Sequence, residues 1–250
     1  MSPEQLEYQK GFYEAHPSIQ KLERRFRKAE KVRYVLRQYP AAFDLKRAIC
    51  VDIGCSSGVI TNHISDLFRL VVGLEYDFYA LKQHGPLGDN VQLIHGDAMR
   101  LPVADQSVDF ILCLQVYEHV PDAEILVCEM DRVLKPGGVI FFSGPNKGFP
   151  IELHYHLPFL HWLPRKWASA LLKILGRGDH FYERIYSRNE LMHLFQRFEI
   201  LDISVDILQQ GQQFAGLRGP VLWLTKLPAS FLNLFRGIFP NYNWLLYKSS

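Results

Sequence analysis

Residues 50–60, CVDIGCSSGVI, determine how the rest of the chain is interpreted. An apolar run ends in the acid Asp52, a turn of glycine, cysteine and serine follows, and apolar spacing resumes at Val59. Gly54 permits a sharp turn, and Gly58 lets a helix begin close against the strand. The pattern indicates a strand, a tight turn and a helix, with a small ligand lying against the turn.

The chain around this turn alternates between short apolar runs and helical stretches. The apolar runs are AICVDI, LVVGLE, VQLIHGD, VDFILCLQ and GVIFFSG, within residues 48–144. Continuous apolar runs are typical of strands buried on both faces, and the helices between them imply parallel pairing. We therefore expect a doubly wound α/β core. The sequence Lys-Pro-Gly-Gly at 135–138 is expected to end the last of these helices and turn into a strand over 139–143.

The flanking regions are predicted to cover and complete this core. A helix over 3–39, with Leu22, Phe26, Ala29, Arg33 and Leu36 on one stripe, ends before Pro40. We divide the chain, as one domain over 1–250, into N-terminal helices (1–44), a ligand-binding core (45–148), a lid insertion (149–187) and a C-terminal completion of the sheet (188–250). Regular structure is expected as helices over 165–175 and 188–195, and as strands over 198–207 and 244–247.

Composition and charge narrow the function classes. The 250 residues are 48% hydrophobic and 22% charged, as in an ordinary globular protein, and the net charge of +2 gives little support for a nucleic-acid partner. The basic stretch Lys21–Arg37 is interpreted as a solvated helix face. The four cysteines show no metal-ligand spacing, so we expect reduced, buried thiols in a cytoplasmic protein. We expect neither a secretory signal nor a membrane-spanning run.

Three acids at strand ends predict the ligand. Asp52 is placed to hold an ammonium group, and Glu75, about 20 residues past the turn, to accept hydrogen bonds from ribose hydroxyls. Asp97 is placed to accept from an adenine amino group while the amide of Ala98 donates to a ring nitrogen. The turn lacks the later glycines of a Gly-x-Gly-x-x-Gly motif, which disfavours a pyrophosphate. Amino acid, ribose and adenine together indicate S-adenosylmethionine.

The ordered set of motifs resembles the class I S-adenosylmethionine-dependent methyltransferases, especially the methyltransferase type 11 group that includes the ubiquinone-biosynthesis enzymes. The motifs are VDIGCSSG, GLEYD, HGDAMRLPVADQSVDFI, LQVYEHVPD and LKPGGVIFFSGPN. The resemblance covers about 45–148 and implies a Rossmann-like, seven-stranded sheet. It also implies that the cofactor contacts Ile53, Gly54, Cys55, Ser56, Gly58, Tyr76, Leu114 and Gln115, besides the residues above. Ser56 departs from the family, which commonly has a second glycine there.

The resemblance also suggests the catalytic candidates. His119, with Glu118 as the second choice, would lie at the pocket mouth and accept a proton from a hydroxyl, although a structural histidine is an equal alternative. The insertion adds Tyr155, with His154, His156 and His161, and all four would orient a hydroxylated acceptor. The histidine spacing there lacks an accompanying acid or cysteine cluster, so we predict no metal.

The insertion suggests what the acceptor is. Trp162 and Trp167 alternate with Arg165 and Lys166, as in helices at an anionic membrane surface, whereas an ordinary lid would pack these groups inward. We expect O-methylation of a small apolar or lipid-linked acceptor, either quinone-like, a lipid or an envelope glycan precursor. We also expect the protein to make a peripheral contact with the inner face of the membrane. A non-catalytic cofactor-binding partner subunit and an RNA methyltransferase stay open as alternatives, and the oligomeric state is not predicted.

Overall fold

A central sheet with helices on both faces forms the described part of the chain. The structure, a computed structural model, describes residues 12–15, 21–214, 223 and 225–249. Its strands are β1 (Ile49–Ile53), β2 (Leu70–Glu75), β3 (Val91–His95), β4 (Val108–Leu114), β5 (Leu134–Pro145), β6 (Ile151–Glu152), β7 (Leu157–Pro158), β8 (Glu199–Asp202) and β9 (Asn241–Tyr247). Its α-helices are α1 (Phe12–Ala15), α2 (Leu22–Gln38), α3 (Val59–His63), α4 (Phe78–Lys82), α5 (Ala123–Val133), α6 (Arg165–Ile174), α7 (Arg188–Leu194), α8 (Ser204–Gln209), α9 (Gly211–Phe214) and α10 (Ala229–Leu234).

Seven strands form the main sheet in the order β3-β2-β1-β4-β5-β9-β8. The first five strands in the chain pair in parallel, whereas β9 runs antiparallel between β5 and β8. The chain moves outward from β1 to β2 and β3, then returns to β4 on the other side of β1. This reversal opens a crevice at the carboxyl end of β1, the usual ligand position in such sheets. The doubly wound seven-stranded fold predicted from the sequence is confirmed.

Alternate residues of the strands supply two apolar layers. Val51 and Ile53 belong to the layer that α5 and α7 cover, whereas Cys50 and Phe110 belong to the layer under α2. The segment after β5 builds a small core of its own, from Leu160, Ala168, Leu172 and Phe181. The predicted insertion is therefore a compact unit with its own packing, although the domain boundaries given above stay a prediction.

Two predicted strands have different bounds in the structure. The strand expected over 198–207 ends at Asp202, and α8 begins at Ser204. The Asp202 carboxylate accepts a hydrogen bond from the Ser204 amide, which favours the start of a helix. Ile203 and Ile207, one helical turn apart, are both buried, as a helix and not a strand would place them. The final strand begins earlier than expected, at Asn241. The Lys-Pro-Gly-Gly turn at 135–138 also lies within β5.

The N-terminal helix buries only part of the predicted stripe. Ala29 and Leu36 are buried as expected, but Leu22 and Phe26 are 57% and 45% exposed, and Arg25, which the predicted stripe does not include, is only 9% exposed. Arg25 faces inward because its guanidinium binds the turn after β1. The expectation of a solvated basic face was therefore wrong at Arg25. The parts of the predicted helix at 3–11 and 16–20 lie outside the described residues.

The cysteines follow the prediction except at one position. Cys50, Cys55 and Cys113 are buried, whereas Cys128 is exposed because it lies on the outer side of α5. No disulfide joins them in the described residues, where all four thiols are free. Among those same residues, none of the helices is both long and apolar enough to cross a bilayer.

Candidate functional site

The turn after β1 has an unusual backbone. Gly54, Ser56 and Gly58 have φ angles of +72°, +54° and +69°, and so lie in the left-handed region. Glycine adopts that region at little cost, and serine does so less readily. Ser56 therefore holds a backbone conformation that glycine would adopt more readily.

Neighbouring strands hold this turn in place. The amides of Gly54 and Cys55 donate to the carbonyl of Leu74 in β2, at 2.8 and 3.1 Å. A Cβ atom added at Gly54 would lie 2.7 Å from Cγ2 of Val116, at the end of β4. The backbone of the turn therefore packs directly against the end of β4, and Ile53 and Cys55 are buried beside it.

Two predicted acids, Asp52 and Glu75, bracket the turn. Asp52 is buried and accepts a 2.7 Å hydrogen bond from the Thr61 hydroxyl, while burial raises its pKa to about 6. Glu75 accepts hydrogen bonds from the amides of Ser56 and Asp77, both at 2.8 Å. Burial raises the pKa of Glu75 above its ordinary value, and these amides oppose the shift. Each carboxylate oxygen has a second lone pair, so Glu75 can still accept from a ribose.

The sequence analysis missed Arg25, which reaches this site from α2. Its Nη2 donates a 2.7 Å hydrogen bond to the Ser56 hydroxyl. Burial lowers the pKa of Arg25, while Asp52 and Glu75 oppose that shift. One sequence signal could have found it, because Arg25 lies one helical turn before Ala29 and so on the same apolar face. An arginine buried on such a face needs an anionic partner or ligand. A carboxylate of a bound amino acid would provide one.

The adenine candidates lie along the ends of β2 and β3. The Asp97 carboxylate accepts from the amide of Met99 at 2.8 Å, and Ala98 is buried. The Tyr76 carbonyl accepts from Nε2 of His95, and the two rings lie 6.4 Å apart. Asp97 and Tyr76 are therefore fixed on two neighbouring strands, at the same edge as Glu75.

The end of β4 leads into the predicted catalytic motif. Leu114 is buried, and Gln115 has a φ of +62° with its amide bound to the Ser143 carbonyl of β5. The Gln115 side chain donates to Oδ1 of Asn241 at 3.2 Å. This left-handed residue follows the end of β4, and Val116 then packs against Gly54 of the turn.

Glu118 and His119 of that motif are buried. Glu118 is 1% exposed, His119 is 8% exposed, and the Nε2 of His119 lies 3.9 Å from Oε1 of Glu118. Neither oxygen of Glu118 accepts a hydrogen bond from the described residues. Burial raises the pKa of Glu118 to about 7, although the charge of His154 opposes that shift. A buried carboxylate with both oxygens open needs a proton or a ligand.

The insertion supplies the third member of this cluster. The ring of His154 packs edge-on against the ring of His119, with centroids 5.0 Å apart. The Nδ1 of His154 donates to the fully buried Glu152 at 2.8 Å, and Glu152 also accepts from the amides of His154 and Tyr155. Burial alone would lower the pKa of His154, but the hydrogen bond and charge of Glu152 raise it to about 9. At neutral pH, Glu152 and His154 therefore form a buried ion pair beside His119.

The other candidates of the insertion lie elsewhere. The Tyr155 hydroxyl points to the His180 carbonyl at 3.5 Å, and His161 bonds to the Lys147 carbonyl. The structure brings His154, rather than Tyr155, to Glu118 and His119. The ligand atoms of Glu118, His119 and His154 lie within 4.8 Å of one another, close enough to hold a metal ion. The fold thus adds the acid that the histidine spacing lacked, and the predicted absence of a metal stays a prediction.

The residues at the crevice fit an S-adenosylmethionine molecule chemically. The glycine at position 54 keeps the turn free of a side chain, Glu75 retains open lone pairs, and Asp52 and Arg25 provide both charges that an amino-acid group requires.

Comparison with known proteins agrees with this chemistry. Residues 51–142 match the methyltransferase domain family. A "Probable S-adenosylmethionine-dependent methyltransferase" of Mycolicibacterium smegmatis is 38% identical over 97 residues, which are 39% of this chain and 38% of that protein. A ubiquinone biosynthesis O-methyltransferase of Vibrio atlanticus is 25% identical over 183 residues, which are 70% of this chain and 71% of that protein. The chain thus spans well under half of the first relative and about seven tenths of the second.

A solved structure also shares the fold. The [4+2]-cyclase SpnF has a TM-score of 0.56 at 17% identity, covering 88% of this chain and 80% of that one. This similarity shows the fold alone, and a fold does not by itself fix the reaction.

Proposed function

We propose that this chain, which is a class I S-adenosylmethionine-dependent methyltransferase, methylates an oxygen atom of a small apolar or lipid-linked acceptor. Bound S-adenosylmethionine supplies a methyl group on a positively charged sulfur. The transfer is an in-line displacement, so the chain must position the acceptor oxygen, exclude water and remove one proton.

One observation carries this proposal, namely the meeting of Glu118 and His119 with His154. The first two follow β4 in the cofactor-binding core, and the third comes from the insertion. Two histidines and a carboxylate that accepts no hydrogen bond from the described residues, buried together beside a cofactor turn, can bind a hydroxyl group and accept its proton. A binding subunit without catalysis would have no use for such a costly buried group.

The hydrogen bonds divide the roles within this cluster. Glu152 accepts the Nδ1–H of His154 and raises the pKa of that ring to about 9, so at neutral pH the ring also carries a proton on Nε2. This Nε2–H serves as the hydrogen-bond donor that stabilises the developing oxyanion. His119, assisted by Glu118 at 3.9 Å, takes the proton of the acceptor hydroxyl. Tyr155 supports the insertion through its contact with His180 and does not act on the acceptor in this scheme.

Methyl transfer from labelled cofactor to fractionated lipid, glycan and RNA extracts tests the proposal. We expect label in the lipid or lipid-linked fraction. His119→Ala should lower turnover by roughly 10²–10⁴ with little change in cofactor affinity, because a general base contributes that much. His193→Ala, an exposed histidine on α7, is the matched control. Label in RNA alone, or unchanged turnover in His119→Ala, would contradict the proposal.

The exposed face of α6 supports an apolar or lipid-linked acceptor. Trp167 and Ile174 are 71% and 81% exposed, while Ala168 and Leu172 are buried in the insertion. At about 100° per residue, Trp167 and Ile174 lie on one stripe, and the exposed Lys173 lies to one side of it. An apolar stripe beside basic residues is typical of helices that lie on anionic membranes. We propose that this stripe rests on the inner face of the membrane and brings the site to its acceptor.

The RNA alternative rests on the basic helix α2, and it is weakened by where those residues point. Arg25 is buried against Ser56, and the amine of Lys31 bonds to Ser143 and Asn243 inside the sheet. These cations are therefore not available as a surface for a phosphate backbone.

A further inference from the structure

The inward side of α2 carries two amines that the cofactor site does not use. Lys28 and Lys31 are three residues apart, so their side chains are neighbours on the helix. Both are half-buried, and Val35 on the same flank is fully buried. The flank therefore lies against the sheet and not in solvent.

The amine of Lys31 is held at the carboxyl end of the sheet. It donates to the Asn243 side chain at 2.9 Å and to the Ser143 hydroxyl at 3.3 Å, and it lies 5.5 Å from the centre of the Phe141 ring. Ser143 and Asn243 are 2% and 5% exposed. The Ser143 carbonyl also binds the amide of Gln115, so this amine lies next to the end of β4.

The part of the chain that the structure describes offers these two cations no ion-pair partner. Within 21–214 and 225–249, no carboxylate forms an ion pair with Lys28 or Lys31, and Lys28 has no hydrogen-bond partner there. Burial lowers the pKa of Lys31 to about 7 and that of Lys28 to about 8, and each shift is deepened by neighbouring cations. Glu118 and Asp52 oppose the shift of Lys28 without contacting it. An anionic ligand would offset the cost of keeping both amines charged in this position.

We propose that Lys28 and Lys31 bind a phosphate group of the methyl acceptor. Lys28 offers all its N–H groups and Lys31 offers its third, and together they balance a doubly charged phosphate better than a single carboxylate. The position fits, because Arg25 serves the cofactor turn, whereas Lys31 lies six residues further along α2, toward β5 and β9. This inference rests on the proposed methyl transfer and narrows its acceptor to a phosphorylated molecule.

Direct binding of inorganic phosphate tests the site without an acceptor. Calorimetry at pH 7, on protein saturated with S-adenosylhomocysteine, should show phosphate binding. Lys31→Met and Lys28→Met should each weaken it at least tenfold, since each removes one of two charges. Arg37→Met, on the exposed side of the same helix, should leave it unchanged. Absence of phosphate binding in the wild type, or an equal loss in Arg37→Met, would overturn the inference.

A second measurement guards against a misfolded variant. Lysine side-chain NMR on the wild type should show the Lys31 resonance titrating at a higher pH when phosphate is added, because an anion favours the charged amine. A titration that does not move with phosphate would count against the site, whatever the variants do.

A third experiment uses the methyl acceptor itself. Treating extracts with a phosphatase before the methyl-transfer assay should abolish labelling. Partition of the labelled product between organic and aqueous phases then separates a lipid phosphate from a soluble one. If label transfer is unaffected by the phosphatase and equal in Lys31→Met, the inference is wrong while the proposed function stands. If no extract accepts a methyl group, the proposed function fails, and phosphate calorimetry still decides whether the amines form an anion site.

Discussion

Replacing Gly54 by alanine should damage both stability and cofactor binding. The residue has a φ of +72°, and its new Cβ would lie 2.7 Å from Cγ2 of Val116. The left-handed backbone costs about 1–2 kcal/mol for a residue with a Cβ, and overpacking adds about 1–3 kcal/mol. We therefore expect a loss of about 3 kcal/mol, which lowers the melting temperature of a chain of this size by roughly 6–12 °C.

Thermal unfolding and calorimetry with S-adenosylhomocysteine measure the two effects. The dissociation constant should rise at least tenfold, because the turn must move away from Val116 to relieve the contact. The double variant Gly54→Ala/Val116→Ala should recover the overpacking part but not the backbone part, giving a coupling energy of roughly 1–3 kcal/mol. Gly85→Ala is the control, since an added Cβ there meets no atom within 4 Å. A Gly54→Ala protein with wild-type stability and affinity would refute the close packing of this turn.

Three further predictions concern the ribose acid, the buried amine and the membrane stripe. Glu75→Ala should weaken S-adenosylhomocysteine binding by roughly 1.5–3 kcal/mol in calorimetry, because charge-assisted hydrogen bonds disappear; Glu124→Ala, an exposed acid on α5, should not. Lys31 has a pKa lowered to about 7, so the unfolded chain binds more protons than the folded one above that pH, and stability rises with pH there. In urea titrations without phosphate, the free energy of unfolding of Lys31→Met relative to wild type should therefore fall by about 2 kcal/mol between pH 7 and 9. A difference that stays constant with pH would count against the burial of this amine. Lys166→Glu/Lys173→Glu should abolish flotation with anionic vesicles, since each basic group contributes about 1 kcal/mol, and wild type that never floats would exclude the membrane contact.

The cofactor half of the site could be predicted because its signals are local. A strand end, a turn glycine and an acid such as Glu75 lie in short, ordered motifs, and parallel strands bring their carboxyl ends to one edge. The structure accordingly places Asp52 and Glu75 around one turn.

The acceptor half could not be predicted to the same extent, because its residues meet only after the insertion folds. Nothing in the sequence indicates that Glu152 and His154 form a buried ion pair. Nor does it indicate that the ring of His154 packs against His119, which lies more than thirty residues away in the chain. The inward positions of Arg25 and Lys31 could not be predicted for a related reason. A basic stretch on a helix predicts solvation by composition, and only the position of the sheet shows which cations turn inward.

The placement of β9 has a consequence for synthesis of the chain. Among the described strands, β9 is the one neighbour of β8, yet β9 is made almost forty residues later. One edge of β5 also stays without its partner strand β9 while residues 146–240 leave the ribosome. Throughout that interval the nascent chain presents an unpaired apolar strand, which is a template for wrong pairing. Chaperone demand should therefore peak before residue 241 emerges and fall once β9 closes the gap.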